Sequence, residues 1–93
     1  MNELIEKIEI VCGVNLAQMK RRSRKRYVCF ARTILAYEMR FTYKMTVSEI
    51  GLLLNRNYTS VCNMTNKSFD NYQQYSEFVA ILHKITNPKQ LTA

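Results

Sequence analysis

Three observations predict an all-α domain of five to six helices. Only two Gly and one Pro occur in 93 residues, too few for a turn-rich β fold. Apolar residues recur at helical spacing through most of the chain. One stretch, Thr46 to Lys67, has the pattern of two helices joined by a tight turn. Hydrophobic residues make up 47% of the chain, enough to build a core and an argument against global disorder. The length suits one small domain, taken as residues 1–86 with a short tail, 87–93.

The first helix is expected over Asn2 to Cys12. Leu4, Ile5, Ile8, Val11 and Cys12 share a face there, and Glu3, Glu6, Lys7 and Glu9 lie outside. Gly13 is placed to end it. Asn15 is a cap for a short helix, Leu16 to Met19, with Leu16 and Met19 turned inward.

Lys20 to Arg26 follows, KRRSRKR, holding six of the fourteen Lys and Arg in seven residues. Such a cluster cannot be buried together, so it is a surface segment. The plain reading is a solvated loop that aids solubility. Its place just upstream of a paired-helix motif favours contact with phosphates or with a minor groove, whose negative potential attracts arginine. The net charge of +7 points the same way, to nucleic acid first and an anionic membrane surface second.

Tyr27 to Tyr43 reads as the longest helix. Phe30, Ile34, Tyr37 and Phe41 form one stripe with Ala31, Leu35 and Met39 beside it, the wide apolar face of a central helix. Arg32, Ala36, Arg40 and Lys44 run along another side. Arg40 and Lys44 are read as solvated, and Arg32, next to the basic loop, as a phosphate contact.

The paired helices come next. Thr46 and Glu49 have the spacing of a capping box, and Met45 and Ile50 that of a hydrophobic staple. Ile50, Leu53 and Leu54 give one apolar stripe. Asn55, Arg56 and Asn57 are turn and cap formers. The second helix then opens on Tyr58, Thr59 and Ser60. In a helix-turn-helix that start lies in the DNA major groove. Val61, Met64, Thr65, Ser68 and Phe69 face inward, with Asn63, Asn66 and Lys67 outside, and the helix is expected to fray near Asp70 to Gln74. Ser76 caps a last helix, Glu77 to Ile85, whose stripe of Phe78, Ile81, Leu82 and Ile85 closes the core. His83 lies off that stripe, and Asn87-Pro88 ends the helix.

Other chemistries find little support. No nucleotide-cradling loop, dinucleotide fingerprint, zinc-protease helix or nucleophile elbow is present. No carboxylate pair stands out, and the one histidine lacks an evident nucleophile partner, so no enzyme, metal or cofactor is expected. Cys12, Cys29 and Cys62 are far apart and set among apolar residues. They read as reduced packing residues of a cytoplasmic protein. No secretion signal or membrane-spanning run is found.

The stretch Glu49-Ile50-Gly51 and then Arg56-Asn57-Tyr58-Thr59-Ser60-Val61 resembles the C-terminal DNA-binding domain (domain IV) of the bacterial replication initiator DnaA. That family carries Ile-Gly in the first helix, then Arg-Asp-His-Thr-Thr-Val at the turn. Its basic loop and the Arg of its long helix match Lys20 to Arg26 and Arg32, so the resemblance covers roughly Leu4 to Lys67. It implies a Trp-repressor-like helix-turn-helix fold and double-stranded DNA as the partner. By the resemblance, Arg24 enters the minor groove, in a loop with Arg22, Lys25 and Arg26. Asn57, Tyr58, Thr59 and Ser60 face base edges and nearby phosphates in the major groove, and Arg56 and Asn63 are counted among the DNA-binding residues beside them. Val47 and Ser48 approach from the first helix, Arg32 and Thr33 hold backbone phosphates, and Lys67 adds another. Asn57-Tyr58 departs from the usual Asp-His, and Asn is able to pair with adenine through both edges. The turn also reads as one residue short. Both departures imply a target different from the family's usual DnaA box. The ATPase part of the initiator is absent from these residues, so helicase loading is not expected of them. A role in replication initiation or its regulation, in a bacterium or a phage or mobile element, follows from the resemblance. The competing reading is a protein-interaction module or transcriptional regulator that docks a partner through Tyr72, Tyr75 and Phe78 or the N-terminal helix, with a merely solubilising loop. RNA binding would want more aromatics among the basic residues than Tyr27.

Overall fold

The computed structural model describes residues 2–21 and 23–86. Six helices and no strand occur among them. Helix α1 (Asn2–Cys12) ends at Gly13, which takes the left-handed conformation (φ 71°). Helix α2 (Leu16–Lys20) is fixed by a capping box in which Asn15 and Gln18 exchange two hydrogen bonds of 2.8 Å. Glu9, expected on the outside of α1, instead accepts the Leu16 N–H at 2.8 Å and ties the two helices together.

Helix α3 (Arg26–Phe41) is the central post. Every residue from Phe30 to Ala36 is buried, as are Val28, Glu38 and Met39. Helix α1 packs against it, as do α2, α4 and the middle of α5. This surround explains a correction to the sequence reading. The side bearing Arg32, Ala36 and Arg40 is not a solvated face, because α2, the loop after it and the helix-turn-helix cover it. The helix also stops two residues earlier than expected. The Thr42 and Tyr43 N–H groups both donate to Glu38 O, and Lys44 turns left-handed (φ 57°), which swings Met45 back onto Met39 O at 2.9 Å.

Helix α4 (Val47–Leu54) begins with the expected box. Thr46 Oγ1 accepts the Glu49 N–H at 3.1 Å, and Glu49 accepts the Thr46 N–H at 2.9 Å. Ile50 and Leu54 are fully buried, with Met45 packed against the same core. Helix α5 starts as Tyr58–Asn63, passes through a π-helical turn, Met64–Ser68, and continues as Phe69–Tyr72. At the widened turn, Thr65 Oγ1 donates to Val61 O at 3.1 Å and accepts from Arg40 Nη1 at 2.7 Å. The last turn holds where fraying was expected at Asp70, because Phe69 stacks on Tyr37 (centroids 3.8 Å, planes 7° apart) and Tyr72 packs edge-on to Phe30. Helix α6 (Ser76–Thr86) lies against α1 and buries Phe78, Ile81 and Ile85, with His83 exposed as expected. Asn87-Pro88 and the tail lie outside the described residues. No helix described is long and apolar enough to cross a membrane.

The three cysteines are free and half-buried. Burial pushes the Cys12 thiol up to about 11, so it stays protonated at neutral pH.

Candidate nucleic-acid interface

The turn between α4 and α5 is built by four consecutive roles. Gly51 lets the chain return closely: a Cβ there would stand 2.6 Å from Arg56 O, and the Arg56 N–H donates to Gly51 O at 2.8 Å. Asn55 ends α4 in the left-handed region (φ 56°, ψ 48°), which Asn tolerates better than most residues. Arg56 spans the turn. Asn57 caps α5, its Oδ1 accepting the Ser60 N–H at 2.8 Å. The Ile-Gly pair is therefore a packing requirement, and Tyr58 and Thr59 are left exposed at the helix start.

The basic loop, residues 21–25, is gathered by two arginines. Arg32, only 8% exposed, donates through Nε to Met19 O (2.8 Å) and through Nη2 to Arg21 O (2.8 Å) and Ser23 O (3.2 Å). Arg56 donates through Nη1 to Lys20 O (2.9 Å) and to its own neighbours Leu54 O and Asn55 O, and through Nη2 to the same Arg21 O. The carbonyls of Lys20, Arg21 and Ser23 thus face the protein, while the side chains of Arg21, Arg24 and Lys25 are exposed. Carbonyls satisfy guanidinium donors without neutralising their charge, so both arginines keep adding positive potential here.

Around this clamp opens a cleft of about 890 Å³. Ser23 and Arg24 line it from the loop, Val47 and Ser48 from the start of α4, and Asn57, Tyr58 and Ser60 from α5. Three segments far apart in sequence therefore converge, and all of these residues except Ser23 are among the predicted site residues. Arg32 and Arg56 form its floor, which continues into a smaller cleft beside Thr33 and Asn63. Thr59 and Lys67 are exposed on α5 but line neither cleft, and Arg22 lies outside the described residues.

Several predicted residues do other work. Arg32 was expected as a phosphate contact, yet one of its bonds goes to the backbone of α2 and two to the loop, because α2 and the loop fold over it. Thr33 is 2% exposed, and phosphate contact by its hydroxyl would need the wall of the smaller cleft to give way. Arg26 pairs with Glu77 at 2.9 Å and lies over the Tyr75 ring. The Tyr27 hydroxyl and Arg26 hold the Glu77 carboxyl below its ordinary value, while Glu77 raises the Tyr27 phenol. Asn57 spends Oδ1 on its cap, which orients the amide against a free bidentate approach to adenine. Arg40, read as solvated, donates to Thr65 and lies 5.3 Å from the Phe41 centroid. The aromatic docking surface of the competing reading also fails: Phe78 is fully buried, Tyr72 is half-buried, and only Tyr75 stands exposed, at 45%.

Ser23, Leu52 and Asn55 line the cleft without having been predicted. Leu52, 85% exposed, is the plainest omission. A signal for it was present: it follows Ser48 by four residues, so it shares the Ser48 face rather than the Ile50 stripe.

A protein-family model described as bacterial dnaA protein helix-turn-helix matches residues 1–67. The chain belongs to this family. The match spans α1 to the π turn of α5 and includes every element that lines the cleft. The DnaA-like domain is thus a DNA-binding helix-turn-helix by kind. Neither the curated proteins nor the solved structures gave a match.

Proposed function

We propose that this DnaA-like domain binds a specific sequence in duplex DNA. The start of α5 enters the major groove and Arg24 of the basic loop the adjacent minor groove, in the service of replication initiation or its regulation. The observation that carries the reading is the shared cleft of Arg24, Ser48, Asn57, Tyr58 and Ser60. It joins a flexible cation suited to a narrow groove with a helix start bearing hydroxyls, an amide and an aromatic ring. Lys25, Lys67 and the other exposed loop cations supply sequence-independent attraction, and Asn57 to Ser60 supply selectivity. Asn57 offers its Nδ2 donors to a base or phosphate while Oδ1 holds the cap, and the Tyr58 ring suits a thymine methyl. The recognised motif is accordingly expected to depart from the family's usual box.

Selection of duplexes from a random pool at about physiological salt tests this. A converged motif that weakens with Thr59→Ala or Tyr58→Ala is the expected result. Binding that shows no motif and vanishes with salt would reduce the site to a basic surface. Charge reversal at Arg22 and Arg24 is expected to abolish duplex binding.

A further inference from the structure

The DNA reading assigns the loop and the recognition helix to different grooves. It does not say what makes them act together. The structure points to Arg56. This side chain belongs to the turn of the helix-turn-helix, yet two of its bonds reach back to the carbonyls of Lys20 and Arg21, 36 and 35 residues earlier. Arg32 reaches the same Arg21 carbonyl from α3. One carbonyl thus receives two guanidinium groups, one from the long helix and one from the turn.

We propose that Arg56 is a positioning residue. With Arg32 it locks the basic loop to the helix-turn-helix turn, so that Arg24 and the start of α5 meet a duplex as one preassembled unit. The proposal rests on the duplex-DNA reading for its purpose, but the lock itself is a property of the free protein. A planar fork suits this task, because its two nitrogens reach separate carbonyls at once. A lysine ammonium carries its donors on one nitrogen and lacks that fixed two-nitrogen span. Ordering the loop in advance removes an entropic cost that binding would otherwise meet. The lock also couples the grooves: a duplex that fits only one of them gains little from the other.

Two measurements separate the possibilities. The first needs no DNA. Trypsin cleaves after Arg21 only when that carbonyl leaves its two guanidinium partners, so cleavage there reports opening of the lock. Arg56→Ala is expected to speed it about tenfold or more, and Arg56→Lys to speed it too, in protein whose circular dichroism and melting confirm the fold. If Arg56→Ala does not fold, Arg56→Lys carries the measurement. Unchanged cleavage overturns the proposal.

The second is a cycle of Arg24→Ala and Arg56→Ala on the selected duplex. A positioning role predicts that Arg56→Ala weakens binding by about tenfold alone and by less than about twofold once Arg24 is gone. The salt slope should change little in the Arg24→Ala background. Additive losses, with a slope shallower by about 0.9 for Arg56→Ala in either background, would make Arg56 a phosphate ligand in its own right and overturn the proposal. A wild-type protein that binds no duplex would refute the DNA reading, and the proteolysis would still decide the lock.

Discussion

Asn57 carries two duties that substitution can separate. Its Oδ1 caps α5, and its amide N–H groups stand at the mouth of the cleft. Asn57→Asp keeps an oxygen for the Ser60 N–H and removes the donors, so the melting temperature should stay while affinity for the wild-type motif falls. Asn57→Ala should lose both, with about 1 kcal/mol of stability gone with the cap. Urea titrations beside duplex titrations check the pair. Equal losses of stability in both variants would show that the carboxamide does more than cap. Gly51 is held by a different constraint. Its φ is unremarkable, but a methyl group would meet the rigid backbone oxygen of Arg56 at 2.6 Å. Gly51→Ala is therefore expected to cost about 1–3 kcal/mol as α4 and the turn move apart. It should also weaken duplex binding beyond what lost stability explains, because the moved segment carries Arg56 and the α5 cap.

Two helices hold carboxylates that bear on pH. Glu49 is kept below the ordinary value of 4.5 by the backbone N–H and hydroxyl of Thr46, and Glu77 by the Tyr27 hydroxyl and Arg26. Depressed carboxyls bind fewer protons in the folded state than in the unfolded one. Their contribution is present above the ordinary value of about 4.5 and is lost as pH falls through the depressed folded values. The urea midpoint of the wild type should accordingly fall as pH drops below about 4.5, and Glu49→Gln with Glu77→Gln should flatten that part of the curve. Glu77→Gln also releases Arg26 from its ion pair. Helix α5 shows how an element serves two masters. Its first turns face the cleft, its last turns are pinned by Phe69 and Tyr72 in the aromatic core, and the π turn lies between them. Arg40 supports that turn through Thr65, so Arg40→Met should destabilise the fold without removing a cleft residue.

At the scale of the molecule, the densest run of cations stands beside the cleft. The loop cations Arg21, Arg24 and Lys25 are exposed beside Arg32, Arg56 and the helix start. Neutralising about six phosphates would give log K against log salt a slope of about −5. Titration between low and physiological salt checks this, and a slope near zero would remove the duplex as the ligand. Charge alone does not make a motif. The selectivity must come from the few uncharged groups at the α5 start, which is why Thr59→Ala should relax the selected motif while leaving the slope unchanged.

Much of this was legible along the chain because it depends on neighbours in sequence. The Thr46–Glu49 box, the Asn15 and Asn57 caps, the Gly13 stop and the stripe of α6 each join residues a turn or two apart, where side-chain spacing and backbone hydrogen bonding fix the outcome. The Ile-Gly and Arg-Asn-Tyr-Thr-Ser-Val segments likewise carried the family, which residues 1–67 bear out. What the sequence could not determine depends on which surfaces meet. Periodicity assigned Arg40 to solvent, and the nearby basic loop assigned Arg32 to phosphate, but neither registers α5 packing over Arg40 or α2 and the loop folding over Arg32. The meeting of Arg32 and Arg56 on one carbonyl joins residues 11 and 35 positions from Arg21. The lasting end of α5 was decided in the same way, by partners distant in the chain. Local hydrogen bonding and helical spacing are written in adjacent residues, whereas burial and the reach of a long arginine side chain are settled only when the helices pack.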